Sequence, residues 1–567
     1  MKLTLPISVC LCLLHLVLTR GEKSTVDEEP ELKISTGLIK GKSVHFRGIK
    51  VYNFLTIPYA EPPVKDLRFK KPVPKKPWNG LLETNKWGPY CAQPDLLGLT
   101  SSVTVTEDCL VLNVFVRASA INDKQKGVKR PRPVIVWIHG GAFSHGSANQ
   151  VDESDGTPLA GLHDVVVVTV NYRLGPFGFL YLPELGIPGN MGLWDQNLAL
   201  QWVRDNIEYF GGDPNRVTLF GQSAGSMSVS AHVVSPQSKG LFKNVILQSG
   251  AIYDFKRWTV ADVNKPFIKA TGCSSESNEE IVSCLSSFDY KKLENVDSFW
   301  PVIGDEFLPQ EPEKAVASKG FDSKINVLLG TVGNEGAVLL LVKDPLTFAP
   351  INPTNLTLPH AKHILKLLFG EPALPYYIEK YLSSVSPDDP DAIRIAVSSA
   401  YGDTFLSCPT YVFGHDLVKN GHANVYAYYQ SQRPSQNILP FITPSKWLPA
   451  SHGDDVPMIF GKPFLQADKY ISEDVILSNI MMKAWADFAK KGKPSPIGTE
   501  KWSAWRPSEV NNHPVMILDS HKIDVVDVNF CDRCLSSWPF PFGAANGKPL
   551  TPEPGFFSWI EKNHEEL

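Results

Sequence analysis

A serine flanked by two glycines stands in the pattern Gly221-x-Ser223-x-Gly225, within the stretch from Val217 to Ser226. Apolar, β-branched residues precede the pattern and a helical run of small residues follows it, which predicts a tight turn between a strand and a helix. Such a turn strains the serine backbone, points the hydroxyl out of the sheet and needs glycines where strand and helix approach closely. The pattern therefore predicts a nucleophilic serine, with a purely structural turn as the alternative.

A glycine pair, Gly140 and Gly141, directly follows the apolar run that ends at His139. Bare backbone N–H groups suit the negatively charged oxygen that forms when a serine attacks a carbonyl carbon. The N–H of Ala224, at the start of the helix after Ser223, is the natural third donor. We expect these three residues to form an oxyanion-binding site; a plain turn at the glycines is the alternative.

A serine nucleophile needs a base, and the base needs a carboxylate that orients it. Where the serine lies on such a strand-to-helix turn, the expected order along the chain is serine, acid, histidine. Glu335 lies in a glycine-rich turn just after an apolar run, and His452 lies in a polar loop followed by apolar residues. Spacing alone makes both of them candidates only, because a histidine in a loop is more often simply solvated.

Apolar runs that alternate with helical patterns are expected to form the sheet that positions these residues. Continuous apolar runs are typical of parallel strands that are buried on both faces. The alternation predicts a doubly wound α/β sheet with its site beyond the carboxyl ends of the strands. The predicted strands are Pro133–His139, Asp164–Val170, Val217–Phe220, Val245–Gln248 and Ile325–Leu329, and the clearest helix is Trp194–Glu208.

The composition is that of a globular protein with a large core, since 43% of the 567 residues are apolar and 20% are charged. Length alone would suggest about three or four domains, but no linker, repeat or block of like charge marks a boundary. The formal net charge of −4 gives no case for a nucleic-acid partner.

Residues 1–20 are predicted to be a secretory signal, because Lys2 precedes the apolar run Leu3–Leu18. This run is short for a membrane anchor, and we expect no integral membrane segment; a signal anchor is the alternative. The last four residues, 564–567, resemble an endoplasmic-reticulum retrieval signal with Glu565 in place of Asp, so retention in the lumen and secretion are both open. Asn355 begins a glycosylation acceptor in an expected surface loop.

Seven of the nine cysteines remain after removal of the signal, which allows up to three disulfides and one odd thiol in an oxidising compartment. The first four have spacings that suit two local loop closures, and Cys408 could pair with Cys531 or Cys534, but connectivity cannot be read from sequence. The odd thiol would also allow a homo-oligomer. Besides Cys531 and Cys534, no second pair of Cys or His residues has the sequence spacing of metal ligands, so we expect no metal site. The seven are Cys91, Cys109, Cys273, Cys284, Cys408, Cys531 and Cys534.

The chain resembles the type-B carboxylesterase/cholinesterase family, a branch of the α/β-hydrolase fold. The resemblance implies a large, mostly parallel central sheet flanked by helices, in a single catalytic domain over residues 21–563. Besides the serine turn, the blocks that carry the resemblance are Phe54–Pro63, Leu67–Phe69, Glu107–Asn113, Asn171–Gly175 and Gly189–Gln196.

The same resemblance implies a serine esterase that hydrolyses a small-molecule carboxylic ester to acid and alcohol without a cofactor. It implies a catalytic triad of Ser223, Glu335 and His452. It implies an oxyanion site formed by Gly140, Gly141 and Ala224. The implied disulfides are Cys91–Cys109, Cys273–Cys284 and a bond from Cys408 to one of the two C-terminal cysteines.

Family members that act on choline esters are expected to hold the cation with aromatic faces and negative charge. They carry an aromatic residue between the first two cysteines, aromatic residues after the acid and a glutamate before the nucleophile. Here the loop Ala92–Asp108 has no aromatic residue, Ala337–Leu340 are aliphatic, and Gln222 precedes the serine. These departures predict a broad, mainly apolar pocket for neutral esters.

Two alternatives to a general carboxylesterase stay open. A choline-ester preference would need aromatic residues such as Phe299 or Trp300 near the site. A catalytically idle binding or adhesion protein on the same fold is the alternative of another class, although the three triad residues are all present.

Overall fold

The computed structural model describes residues 29–95, 100–253, 267–275, 277–292, 299–421, 424–438, 445, 447–508, 513–528 and 534. The predicted signal, the last four residues and Cys531 lie outside these ranges. The described strands are β1 Glu31–Ile34, β2 Gly37–Lys40, β3 Lys42–Phe46, β4 Ile49–Pro58, β5 Leu81–Glu83, β6 Tyr90–Cys91, β7 Val105–Thr106, β8 Val111–Arg117, β9 Arg132–Ile138, β10 Val166–Val170, β11 Tyr181–Leu182, β12 Ile187–Pro188, β13 Gly212–Gln222, β14 Asn244–Gln248, β15 Asn326–Val332, β16 Val425–Gln430, β17 His513–Leu518 and β18 Asp524–Val528.

Helices surround these strands in an alternating order. The described α-helices are α1 Ala118–Gln125, α2 Val151–Ser154, α3 Thr157–His163, α4 Gly175–Phe179, α5 Met191–Asn206, α6 Ala224–Val234, α7 Asn278–Ser287, α8 Pro312–Ala317, α9 Ala337–Lys343, α10 Leu358–Phe369, α11 Leu374–Tyr377, α12 Pro390–Gly402, α13 Cys408–Lys419, α14 Asp455–Ile459, α15 Lys462–Leu465 and α16 Ser472–Lys491.

One large mixed sheet organises the chain, with the strand order β18-β17-β16-β15-β14-β13-β9-β10-β8-β4-β3. The seven strands from β17 to β10 in this order pair in parallel. An antiparallel β18 closes one edge, and antiparallel β8, β4 and β3 form the other. The sheet is therefore mostly parallel and flanked by helices, as the resemblance implied.

The central strands are buried on both faces, because alternate side chains enter two different hydrophobic clusters. In β9, Val136 and Ile138 belong to the cluster on one face, whereas Ile135 and Trp137 belong to the cluster on the other. Side chains of a strand alternate between its two faces, so a strand buried on both must be apolar throughout. This explains why a continuous apolar run predicted β9 correctly.

The predicted elements match the observed ones, with three starts displaced by more than one residue. Strand β13 begins at Gly212 rather than at Val217. Asp164 does not begin a strand: it has a φ of 52° and ends helix α3 in a left-handed cap, so the strand starts at Val166. The helix predicted from Trp194 begins earlier, at Met191. An apolar run and a helical period carry no information about where a cap falls.

The part of the chain that the structure describes contains three disulfides, Cys91–Cys109, Cys273–Cys284 and Cys408–Cys534. The third settles the pairing of Cys408 that the sequence left open. Disulfides of this kind fit a protein of the secretory pathway. Asn355 is exposed in the loop before α10, and its glycosylation stays a prediction. None of the helices within the described ranges is long and apolar enough to cross a membrane.

Candidate active site

Ser223 lies at the junction between β13 and α6, with a φ of 57° and a ψ of −126°. This conformation is strained for a residue with a side chain. The glycines on either side allow the close approach of helix and strand. A Cβ on Gly225 would collide with the carbonyl oxygen of Ile138, and one on Gly221 would lie 2.5 Å from the carbonyl carbon of Gly225. The predicted strand–turn–helix at the serine is therefore present.

The predicted oxyanion residues come together at this turn. A Cβ on Gly140 would lie 3.0 Å from Cβ of Ser223, so the loop after β9 packs directly against the serine. Ala224 is the first residue of α6, where backbone N–H groups have no partner within the helix. Among the described contacts, the N–H groups of Gly140, Gly141 and Ala224 donate no hydrogen bond. Their role in binding an anionic oxygen stays a prediction.

Glu335 and His452 are hydrogen-bonded although they lie in distant parts of the chain. Glu335, in the turn after β15, accepts from the backbone N–H of Val332 at 2.9 Å through Oε1. Its Oε2 lies 2.6 Å from Nδ1 of His452. Both side chains are buried. Because an ionised carboxylate only accepts, Nδ1 of a neutral imidazole carries the proton here and Nε2 keeps its lone pair.

Asn334 joins the turn of Glu335 to the loop of His452. Its backbone N–H donates to the carbonyl of Ala450 at 2.7 Å. Its side chain accepts from the N–H of Ala337 and donates to Oγ of Ser398, both at 2.9 Å. Three segments of the chain are thereby fixed around the carboxylate.

Gly402, in α12, packs closely against the acid turn, the turn after β15 that contains Glu335. A Cβ on Gly402 would lie 2.5 Å from the backbone nitrogen of Gly336 and 2.8 Å from Cβ of Glu335. The sequence analysis identified neither Gly402 nor Asn334. No local motif marks them, because their roles arise from contacts between distant segments.

The side chain of Gln222, the residue before Ser223, contacts the ring of His452. Its side-chain nitrogen lies 3.1 Å from Nε2 and 3.4 Å from Nδ1 of His452. Within the described ranges, no hydrogen bond joins Oγ of Ser223 to His452. Contacts of this kind are often long in the absence of substrate and tighten only in the complex.

Two further carboxyl groups are fully buried beside His452. Burial raises the pKa of Asp454 to about 8, although its carboxyl accepts from the backbone N–H of Ser451 at 2.7 Å. Burial also raises the pKa of Asp455 to about 6, against the hydrogen bonds that Gln248 and Tyr428 donate to it, each at 2.8 Å. The surroundings of the histidine thus contain carboxyl groups that hold protons more readily than exposed ones.

Apolar side chains lie in the segments that follow the predicted oxyanion glycines and Glu335. Phe143, in the loop after β9, packs edge-on against Trp300 with ring centroids 5.6 Å apart. Helix α9, which follows the acid turn, buries Ala337, Val338 and Leu340. Within the described residues, no group of three or more His, Cys, Asp or Glu side chains is arranged to hold a metal ion.

The sheet topology and the serine turn define an α/β-hydrolase. The sequence matches the carboxylesterase family over residues 28–531, and the chain belongs to this family. The resemblance seen in the sequence is thereby confirmed, and the protein is a carboxylic ester hydrolase of the serine esterase type.

Three curated relatives show how the chain compares within the family. It is 35% identical over 523 residues to acetylcholinesterase-1 of Trittame loki, covering 86% of this chain and 91% of the relative. It is 34% identical over 518 residues to acetylcholinesterase of Bungarus fasciatus, covering 84% and 80%. It is 33% identical over 561 residues to acylcarnitine hydrolase of Rattus norvegicus, covering 94% and 93%. Similar identity to differently named enzymes leaves the substrate to be argued from the site.

Proposed function

We propose that the protein hydrolyses neutral carboxylic esters through an acyl-enzyme on Ser223, with His452 as general base and Glu335 as the carboxylate that orients it. The observation that carries this proposal is the 2.6 Å contact between Oε2 of Glu335 and Nδ1 of His452. It leaves the lone pair of Nε2 of a neutral imidazole for proton transfer, and the turn at Ser223 exposes the serine hydroxyl.

In the first half-reaction, Nε2 of His452 takes the hydroxyl proton as Oγ of Ser223 bonds to the ester carbon. Glu335 stabilises the imidazolium that forms. The N–H groups of Gly140, Gly141 and Ala224 stabilise the carbonyl oxygen as it becomes negative, which is typically worth about 3–4 kcal/mol for each donor. The carbon–alkoxy bond then breaks, and the alcohol leaves with the proton from His452.

In the second half-reaction, water replaces the alcohol. His452 accepts a proton from the water as its oxygen attacks the acyl carbon, and the same donors hold the second oxyanion. The bond to Oγ of Ser223 breaks, and His452 returns the proton to the serine. The products are the free acid and the regenerated enzyme.

The preference for neutral esters rests on the chemistry around Gln222. A choline head group is favoured by negative charge and aromatic faces, but the side chain beside His452 is an uncharged amide. The helix after Glu335 carries aliphatic residues and no aromatic one. Trp300, packed on Phe143, is the observation that favours the second candidate function, hydrolysis of a choline ester, and two of the relatives are named acetylcholinesterases.

The test compares acetylthiocholine with its uncharged analogue, in which carbon replaces the quaternary nitrogen. We expect kcat/KM for the analogue to equal or exceed that for the choline ester, and we expect a neutral butyrate ester to be a good substrate. Ser223→Ala should lower all of these rates by more than about 10⁴-fold. A tenfold or larger preference for acetylthiocholine would indicate a cation–π site of about 1–2 kcal/mol and would favour hydrolysis of choline esters as the function. Absence of turnover in the wild type would favour an idle binding protein.

We also propose retention in the endoplasmic reticulum through residues 564–567, with secretion as the alternative. Deletion of these four residues should move the protein from the cell lysate to the medium. Equal amounts in the medium with and without them would contradict retention. A homo-oligomer through the odd cysteine stays a prediction.

A further inference from the structure

The oxyanion loop, residues 140–146, is a compact turn after β9. The carbonyl of Gly141 accepts hydrogen bonds from the N–H groups of Ser144 and His145, both at 2.9 Å. Gly141 and Gly146 have φ angles of 106° and 102°, which favour glycine. The turn therefore brings Gly146 back beside the start of the loop.

Gln93 holds Gly146 at two points. Its side-chain nitrogen donates to the carbonyl of Gly146 at 2.9 Å, and its side-chain oxygen accepts from the N–H of Gly146 at 2.9 Å. The second proton of the amide nitrogen is donated to the carbonyl of Cys91 at 3.0 Å. Every polar group of this amide is therefore used, and it joins the loop to the buried disulfide Cys91–Cys109.

Gly146 in turn packs against the peptide that links Gly140 and Gly141. A Cβ on Gly146 would lie 2.7 Å from the carbonyl oxygen of Gly140 and 2.6 Å from Nδ1 of His139. That ring nitrogen lies 2.8 Å from the same carbonyl oxygen, and the ring stacks on Tyr172 with centroids 4.4 Å apart. The carbonyl of Gly140 is thus held from two sides.

A peptide unit is planar, and in its trans form the carbonyl and the following N–H point in opposite directions. Whatever fixes the carbonyl of Gly140 therefore also fixes the N–H of Gly141. This N–H is one of the donors in the proposed oxyanion site. Small misplacement of such a donor matters, since a shift of about 1 Å can lower a rate by about 100-fold.

We propose that Gln93 is a positioning residue for ester hydrolysis: it fixes Gly146 and, through it, the peptide whose N–H binds the oxyanion. The inference rests on the proposed function of the oxyanion loop and deepens it. Gln93 itself touches no reacting atom. Its effect should be larger on the transition state than on the bound ester, because the negative oxygen exists only in the transition state.

The experiment measures kcat and KM for a neutral butyrate ester in Gln93→Ala and Gln93→Glu. The glutamate can still accept from the N–H of Gly146, but it has no proton for the carbonyls of Gly146 and Cys91. We expect both variants to lower kcat by about 10- to 100-fold. We expect KM to change by less than about threefold, since binding of the uncharged carbonyl depends little on these donors.

A matched control separates positioning from general stability. Asn206, at the end of α5, is another side-chain amide that joins distant segments: its oxygen accepts from the backbone N–H of Ser35 at 3.1 Å and from the hydroxyl of Ser35 at 2.7 Å. It lies near the amino end of β13, the opposite end of that strand from Ser223. Asn206→Ala should lower the unfolding midpoint while kcat changes by less than about twofold.

A trifluoromethyl ketone, which forms a tetrahedral adduct with a serine, gives an independent measurement. Its affinity should fall in Gln93→Ala by the same factor as kcat/KM, because both depend on the oxyanion donors. The inference is overturned if kcat and inhibitor affinity in Gln93→Ala match those in Asn206→Ala. If wild-type turnover survives Ser223→Ala, the proposed function itself fails, and this outcome is distinct from a result confined to Gln93.

Discussion

The side-chain nitrogen of Gln222 lies 3.1 Å from Nε2 of His452. The residue before the proposed nucleophile is therefore a direct, uncharged neighbour of the proposed base. In the proposed mechanism His452 must be neutral to accept the proton of Ser223. Any charge placed at Gln222 would change the balance between the neutral and protonated imidazole.

Replacement of Gln222 by glutamate should move the acid limb of the activity profile to higher pH. A carboxylate within about 4–6 Å of the ring favours the protonated imidazole, an effect of about 1–3 pH units. We expect the pH of half-maximal kcat/KM on a neutral ester to rise by at least about one unit. Profiles of Gln222→Glu and Gln201→Glu between pH 5 and 9 test this, because Gln201 lies on α5 and bonds to Asn197. An unchanged limb in Gln222→Glu would contradict the proposed role of His452.

Glu335→Gln should lower kcat with little loss of stability. The amide would keep one oxygen as an acceptor, but its NH2 group would face either Nδ1 of His452 or the N–H of Val332. In the first orientation the correct tautomer of the imidazole loses its acceptor, and in both the charge that stabilises the imidazolium is lost; loss of the correct tautomer costs about 10⁴-fold in a comparable triad. We expect a decrease of about 10³- to 10⁴-fold, measured on a neutral ester. Glu371→Gln, which changes an exposed carboxylate, is the control, and equal activity in both variants would exclude Glu335 as the acid.

The parts of the site that could be predicted from sequence are those that a single segment encodes. The serine turn depends on Gly221 and Gly225, which stand two residues from the serine in the chain, and the glycine pair that is expected to bind the oxyanion directly follows an apolar strand. Buried parallel strands could also be predicted, since both of their faces must be apolar. In these cases the residue types within one segment were sufficient for the prediction.

Other features depend on which segments the fold brings together. Spacing left Glu335 and His452 as candidates, and only the family resemblance selected them before their contact was observed. The partner of Cys408 and the contacts of Gln93 and Gly402 were not predictable, because no periodicity or motif reports on pairs that are far apart in the chain. Such pairs are fixed by the packing of whole elements.

Gly402→Ala should disturb the acid turn. Its Cβ would lie 2.5 Å from the backbone nitrogen of Gly336 and 2.8 Å from Cβ of Glu335, so backbone has to move. Overpacking of this kind costs about 1–3 kcal/mol, and we expect kcat to fall by about tenfold or more. Gly161→Ala is the matched control within a helix, because its Cβ would meet side-chain atoms and no backbone: Cγ2 of Val51 at 3.2 Å and Cδ1 of Phe46 at 3.4 Å. Similar kcat values in the two variants would show that the close approach at Gly402 is irrelevant to the site.

The disulfide Cys408–Cys534 should contribute strongly to stability, because it closes a loop with a sequence separation of 126. Chain-entropy arguments give about 4–5 kcal/mol for a loop of this size, and measured values are often lower. We expect Cys534→Ser to lower the free energy of unfolding by about 2–5 kcal/mol, measured by urea denaturation. Cys531→Ser should have little effect, since Cys408 already has its partner. An equal loss in both variants would mean that the two cysteines exchange as partners.

Loss of stability on acidification should depend in part on His232 in α6. Burial lowers the pKa of His232 to about 3, and its ring nitrogens lie 2.6 Å from Oγ of Ser238 and 3.0 Å from Oε1 of Gln196. The ordinary pKa of histidine is about 6.5. Between these values the unfolded chain binds a proton at His232 that the folded chain does not. The free energy of unfolding therefore falls as pH decreases below about 6.5.

The magnitude follows from the difference between the two states. Between pH 6.5 and pH 5 the contribution of His232 amounts to about 2 kcal/mol. His232→Gln should be less stable than the wild type at pH 7, because it leaves space in the core, yet it should lose about 2 kcal/mol less on acidification to pH 5. Urea denaturation at both pH values measures this difference, with the exposed His521→Gln as control. The interpretation fails if His232→Gln and the wild type lose the same free energy between the two pH values, since a proton bound only in the unfolded chain must appear in that slope.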